Sequence, residues 1–172
     1  MLAALGNHES FPVNMFPTHT ELGTAVSGDW LYSGIADLAW ADWLQPEERD
    51  LFRWSDEAMM MVVMVAVMML RRDGYYSTLA RPGLRLVVLN TNFCHGENFF
   101  LFLDFSDPAD QLAWLAATLL QSEAAGERVH ILGHHPLSSC LPGWRREYGK
   151  IVNRSALTCS RRYHYHGEPS PG

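Results

Sequence analysis

Arg128-Val129-His130-Ile131-Leu132-Gly133-His134-His135-Pro136 is a short apolar run that stops at a glycine and turns at once into two histidines. A run of this length and composition reads as a strand, and the glycine lets the backbone bend sharply at its exit. Upstream, Asp107-Pro108-Ala109-Asp110 places an N-cap acid, a proline at the first helical position and another acid in the first turn. Leu112, Leu115, Ala116, Leu119 and Leu120 follow at spacings of three and four, one apolar stripe of a helix that Gly126 ends. Further back, Leu84-Arg85-Leu86-Val87-Val88-Leu89 is a second strand, set off by the breaker Pro82-Gly83. Strand, helix, strand is a βαβ unit, so the chain from Leu84 onward is α/β and the Gly133 turn lies at a strand's carboxyl end. Residues 99 to 105, rich in phenylalanine, read as one more strand.

The same signal occurs near the start. Gly6-Asn7-His8-Glu9 follows the apolar run of residues 2 to 5, which reads as a buried strand. In open α/β sheets ligands bind beyond the carboxyl ends of strands, so the two turns can face one cleft. Asn7 offers an amide oxygen that can complete a divalent-metal shell, although asparagine after glycine is also an ordinary turn residue. His8 can donate a proton to a departing oxygen, and His134 can ligate a metal through a ring nitrogen. His130 alternates within its strand and reads as structural. Glu97, in Cys94-His95-Gly96-Glu97-Asn98, follows a strand and can line the same cleft or serve as a solvated loop acid.

The remainder is less regular. Residues 10 to 20 form a proline-bearing loop, followed by a glycine-punctuated stretch to Gly34. Residues 35 to 44 suggest a helix, and Pro46-Glu47-Glu48 opens another. Residues 58 to 70 are an unbroken run of Ala, Val, Met and Leu, about 20 Å long as a helix and too short for a bilayer core of roughly 30 Å. No transmembrane segment is expected, and Met1-Leu2-Ala3-Ala4-Leu5 does not read as a signal peptide.

A chain of 172 residues fits one domain with a sizeable core, and 48% apolar with 19% charged residues is a globular composition. A net charge of −6, with Lys150 the only lysine, argues against a strong nucleic-acid or anionic-membrane surface. Cys94, Cys140 and Cys159 show no zinc-ribbon spacing; one disulfide with a leftover thiol and three free thiols are both compatible with three cysteines. Asn153-Arg154-Ser155 is a glycosylation sequon and points weakly to the secretory route.

Taken together, Gly6-Asn7-His8-Glu9 and Gly133-His134-His135-Pro136 resemble the motifs of the calcineurin-like metallophosphoesterases. The residues from Ala4 to Asn14 resemble more specifically the acid sphingomyelinase family, the lysosomal sphingomyelin phosphodiesterases. The likeness continues through Leu89-Asn90-Thr91-Asn92-Phe93-Cys94, Glu97-Asn98-Phe99, Gln111-Leu112-Ala113-Trp114-Leu115 and Lys150-Ile151-Val152-Asn153-Arg154, and covers most of residues 1 to 154. It implies a four-layer α/β sandwich, present here as an incomplete domain, in which two zinc ions clamp a phosphodiester. Asn7 and His134 would ligate one zinc, and His8 would assist the leaving ceramide oxygen. Cys94 and Cys140 would form a disulfide, leaving Cys159 unpaired. The implied substrate is sphingomyelin, or another phosphodiester lipid at a membrane surface, cleaved to ceramide and phosphocholine in a lysosomal or secreted setting.

The chain also departs from that pattern. The family's Asp-x-His and Gly-Asp-x-x-Asp metal blocks and its saposin-type domain would precede Met1. Residues 55 to 72 form a Met-rich insertion without a family counterpart. Residues 155 to 172 read as a divergent, disordered tail, and His164 and His166 are given no metal role. These departures lead to the expectation of a truncated chain with no more than trace hydrolase activity by itself. The competing readings are a related phosphodiesterase acting on nucleotides or other phosphoesters, and a non-catalytic fragment with an incomplete metal shell.

Overall fold

The computed structural model describes residues 4–18, 28–39, 42 and 73–156. The helix expected to open at Pro46, the Met-rich run, Cys159 and the tail histidines all lie outside the described residues.

Three strands form a mixed sheet in the order β1-β2-β3: β1 Tyr76–Arg81, β2 Leu84–Val88 and β3 Arg128–Leu132. β2 and β3 run parallel, with Leu84 opposite Arg128 and Val88 opposite Leu132, as the βαβ reading requires. β1, which the sequence did not announce, pairs antiparallel with β2 through a tight turn whose Gly83 sits at φ +78°. Leu79 faces Arg85 but Arg81 faces Leu84, so Ala80 is an extra residue, a bulge near the end of β1. Arg85 forks onto Glu127, donating through Nε at 2.7 Å and through Nη2 at 3.2 Å. This guanidinium holds the Glu127 carboxyl below its usual range.

Helix α2, Gln111–Ala124, crosses from β2 to β3. Leu112, Leu115 and Leu119 of the expected stripe are buried, while Leu120 stays exposed. Its beginning differs from expectation. Residues Pro108–Asp110 form a separate 3₁₀ turn, with Ala109 and Asp110 in the left-handed region, and the α-helix starts only at Gln111. Asp107 nonetheless caps it across the kink, accepting from the amides of Leu112 at 2.7 Å and Ala113 at 2.9 Å. Gly126, at φ +67°, ends the helix as expected.

Helix α3, Pro142–Arg154, packs on α2, and its buried Trp144 and Tyr148 stack their rings at 5.3 Å. Its last turn runs into the buried Ser155, so the chain is still packed at the point where the tail was expected to begin. Near the other end, helix α1 spans Asp29–Gly34, earlier than expected, and widens into a π-type turn at Ile35–Ala39.

One strand expectation falls only partly on described residues, and a second fails. Of the run at residues 2 to 5, residues 2 and 3 lie outside the described residues, while Ala4 and Leu5 lie outside the sheet, although Leu5 is fully buried in the core. The phenylalanine-rich run is a 3₁₀ turn, Phe99–Phe102, rather than a strand. Asn98 explains the second difference: its side chain accepts from the Phe100 amide and donates to the carbonyls of Phe16 and Asn92, which curls the backbone before a strand can form. Among the described residues no helix is long and apolar enough to cross a membrane.

Candidate functional site

The site lies where β2 and β3 end. β3 delivers Gly133 and then His134, while β2 delivers Leu89 and Asn90 and then the short turn Thr91–Cys94. The Leu89 amide still donates to the Leu132 carbonyl at 2.9 Å, so the two exits leave the sheet side by side. The Gly6 turn comes from elsewhere in the chain and docks against both. Gly6 is buried, and a β-carbon there would lie 3.4 Å from His134 Cε1 and 2.9 Å from the Glu9 carboxylate. The turn thus packs closely on His134, and only the flexible Glu9 carboxylate would have to move for a larger residue.

This docking brings Asn7 Oδ1 to 3.0 Å from His134 Nε2, across 127 residues of sequence. The amide oxygen can only accept, so the imidazole Nε2–H donates. Two ligands about 2.0–2.2 Å from one cation and roughly 90–110° apart would be separated by about 3.0–3.5 Å, so a divalent ion could replace that proton between them. Three protein ligands are usual for a catalytic zinc. Among the described residues no group of three or more His, Cys, Asp or Glu side chains forms a metal cluster.

The other expected site residues fall around this pair. His8 is exposed, one residue beyond Asn7. Glu97 is exposed as well, and Asn14 Nδ2 donates to its carboxylate at 2.7 Å. Asn14 in turn donates its backbone amide to the Asn7 carbonyl at 3.0 Å, so Glu97 is tied to the first turn through Asn14. Cys94 and Cys140 form the disulfide that the resemblance implied. Beside it, His95 and Cys140 form a short antiparallel bridge, and the Leu141 amide donates to the Cys94 carbonyl at 2.8 Å. His130 belongs elsewhere, to a cleft of about 390 Å³ with Arg81, Pro82, Gly83, Leu84 and Arg128 near the strands' other ends.

Sequence reasoning gave no role to Thr91, Asn92 or His95, yet all three touch the site. Thr91 Oγ1 accepts from the amides of both His134 and His135, at 3.0 and 2.8 Å. Buried Asn92 pairs its Oδ1 with His135 Nε2 at 3.1 Å and directs its Nδ2 toward the Gly6 carbonyl at 3.4 Å, spanning the two turns. His95 stacks on His135 at 4.2 Å. The rule that flagged Gly133 would have found them, since Asn90-Thr91-Asn92 is equally a polar stretch at a strand's carboxyl end.

Burial, with the imidazoles of His95 and His134 alongside, lowers the His135 pKa to about 4. A histidine whose folded pKa lies below its unfolded value stabilises fully above about pH 6.5, and that contribution is lost as the pH falls toward 4. Between pH 7 and pH 5 the chain is expected to lose roughly 2 kcal/mol from this residue. The same interval lies above the range in which the depressed Glu127 carboxyl would matter. Urea denaturation at the two pH values should show the loss, and His135→Gln should flatten it; an unchanged difference in that variant refutes the assignment.

Comparison with known proteins shows what the chain is similar to. No family model matches the chain. It is 41% identical to the sphingomyelin phosphodiesterase of Bos taurus over 163 residues, 95% of this chain and 23% of that protein. The sphingomyelin phosphodiesterase of Homo sapiens is 40% identical over the same shares. The cyclic GMP-AMP phosphodiesterase SMPDL3A of Homo sapiens is 33% identical over 94% of this chain and 27% of its own length. These relatives are all phosphodiesterases. The chain is a homologue of the sphingomyelin phosphodiesterases, and it spans about a quarter of the length of the curated relatives it matches.

Proposed function

We propose that Asn7 and His134 form one edge of a zinc-binding, phosphodiester-hydrolysing site of the four-layer metallophosphoesterase type, whose substrate is sphingomyelin and whose products are ceramide and phosphocholine. The observation that carries this reading is the 3.0 Å approach of Asn7 Oδ1 and His134 Nε2 in a homologue of sphingomyelin phosphodiesterases. Both donors suit zinc, an imidazole nitrogen more than an amide oxygen. Bound there, zinc supplies Lewis acidity that offsets charge on the phosphoryl oxygens. The chain's own residues do the rest. Asn7 and His134 orient the headgroup, and His8, exposed and adjacent, gives its proton to the ceramide oxygen as a water oxygen bonds to phosphorus and the P–O bond to ceramide breaks. Lysosomal or secretory delivery belongs to the same proposal, and the disulfide suits an oxidising compartment.

A lipid substrate is favoured over a nucleotide by exposed apolar residues that neighbour Asn14 and Glu97 in sequence. Phe11 and Val13 flank one side of the Asn14 link, and Phe99, Phe102, Leu103 and Phe105 follow Glu97 on the other; all six are exposed. Aromatic side chains at such loop tips settle readily at a bilayer interface. A Phe99→Ser/Phe102→Ser variant is expected to weaken partitioning onto sphingomyelin-phosphatidylcholine vesicles roughly tenfold, since each ring removes apolar area worth about 1 kcal/mol or less at an interface. Co-sedimentation measures it, and undiminished partitioning removes the case for a lipid-facing rim.

Two donors hold zinc loosely, so turnover by the 172-residue chain alone is expected at trace level. Phosphocholine release from sphingomyelin vesicles, compared with hydrolysis of a cyclic dinucleotide, separates the substrate classes. Preference for the dinucleotide would transfer the chain to the activity named for its SMPDL3A relatives.

A further inference from the structure

The distance between Asn7 and His134 depends on where the Gly133 turn is held, and one buried side chain holds it. Thr91, 4% exposed, receives two consecutive amide protons, from His134 and His135, on a single hydroxyl oxygen. Its methyl group lies against the glycine that opens the turn: a β-carbon on Gly133 would sit 2.6 Å from Thr91 Cγ2. The turn is therefore gripped by hydrogen bonds on two amides and by direct packing on the residue before them. Thr91 itself is anchored by the neighbouring network: Asn90 Oδ1 accepts from the Asn92 amide at 3.2 Å, the Asn90 amide donates to Gln111 Oε1 at 2.7 Å, and the Asn90 carbonyl accepts from Gln111 Nε2 at 3.2 Å.

We propose that Thr91 is a positioning residue, whose hydroxyl fixes His134 at the distance from Asn7 that lets the two share a cation. The proposal rests on the reading of that pair as a cation site. His134 carries its donor at the far end of a ring, so a small tilt of its backbone becomes a large displacement of Nε2. Functional groups tolerate about 0.5 Å or 10–20° of misplacement. Without the Thr91 oxygen, the amides of His134 and His135 lose their acceptor and must turn toward water to find another. His134 Nε2 then leaves the position it holds beside Asn7. Serine keeps the oxygen; valine keeps the shape and removes it.

The test uses the purified chain in three forms: wild type, Thr91→Val and Thr91→Ser. Amide nitrogen-proton spectra read the His134 and His135 resonances directly, and zinc titration reads the pair. Thr91→Val is expected to shift both amide resonances upfield, hasten their exchange and weaken zinc binding about tenfold, the scale on which partners that orient a metal ligand act. Thr91→Ser should restore the resonances and bring zinc affinity within about twofold of wild type. Gly133→Ala, which drives the Thr91 methyl away from the turn, should reproduce the valine spectrum and serves if the valine variant does not fold. Equal behaviour of the valine and serine variants overturns the proposal. Absence of zinc binding in the wild type sinks the cation-site reading instead, and the amide shifts still report whether the hydroxyl holds the turn.

Discussion

Replacing Cys94 and Cys140 together by serine lowers the stability of the chain by about 4 kcal/mol in the loop-entropy account of disulfides, given 46 residues between them. The enclosed loop contains α2 and β3, so the cross-link restricts nearly all of the βαβ crossover in the unfolded chain. Its native location adds a local effect. The bond joins the segment after β2 to the segment after β3, where the Leu141 amide and the Cys94 carbonyl already pair at 2.8 Å. Breaking it therefore frees both turns that frame the site. Urea denaturation of the double variant, which leaves neither thiol to mispair, measures the change, with a fall in Tm of about 8–16 °C expected for that loss. A change below about 1 kcal/mol would mean that the pairing around the bridge, and not the bridge, closes the loop.

The second large effect concerns the central pair. Apparent zinc binding in small sites is worth about 10–16 kcal/mol over four ligands, or roughly 3 kcal/mol for each. Two donors then give a dissociation constant of the order of tens of micromolar. Removing one in His134→Ala should weaken binding about a hundredfold, into the millimolar range, and Asn7→Ala should act in the same direction by less because an amide oxygen is the poorer zinc donor. His130→Ala, which deletes an imidazole from the separate cleft, provides the control and should leave affinity unchanged. Calorimetric titration distinguishes these outcomes. Zinc affinity that falls equally in all three variants reports adventitious histidine binding and ends the case for a shared cation.

Much of the scaffold was legible because periodicity and punctuation agreed. Residues 84 to 89 and 128 to 132 are apolar, short and bounded by breakers, and the leucine stripe between them has the helical period. These segments became β2, β3 and α2 in the parallel arrangement expected. The Gly133 turn was legible for a steric reason, since a β-carbon there would crowd the buried Thr91, while the Gly6 turn packs closely on His134. What escaped was decided by distant partners. Tyr76–Arg81 has little apolar alternation and is a strand because β2 pairs with it. The run after Asn98 looks like a strand by composition, yet one buried amide bonded to Phe16 and Asn92 curls it. Helix α3 was legible in principle: Trp144, Tyr148, Ile151 and Val152 keep helical spacing among charged residues, although only a stretch of family likeness was read there. At the site, histidine and asparagine attracted notice as possible ligands. Thr91 did not: its place after a strand's carboxyl end was readable, but that its hydroxyl would hold two backbone amides of the other turn was not.

The extra residue at Ala80 has a consequence for solubility. β1 has no strand on its outer side among the described residues, and an open border of this kind invites pairing between copies of a chain. The bulge interrupts the regular ladder after Leu79, so only about four residues keep the straight geometry that an incoming strand could match. Arg81 then adds a positive charge where such a stack would bring identical charges together. A deletion that straightened β1 would be expected to make the protein stickier before it made it less stable.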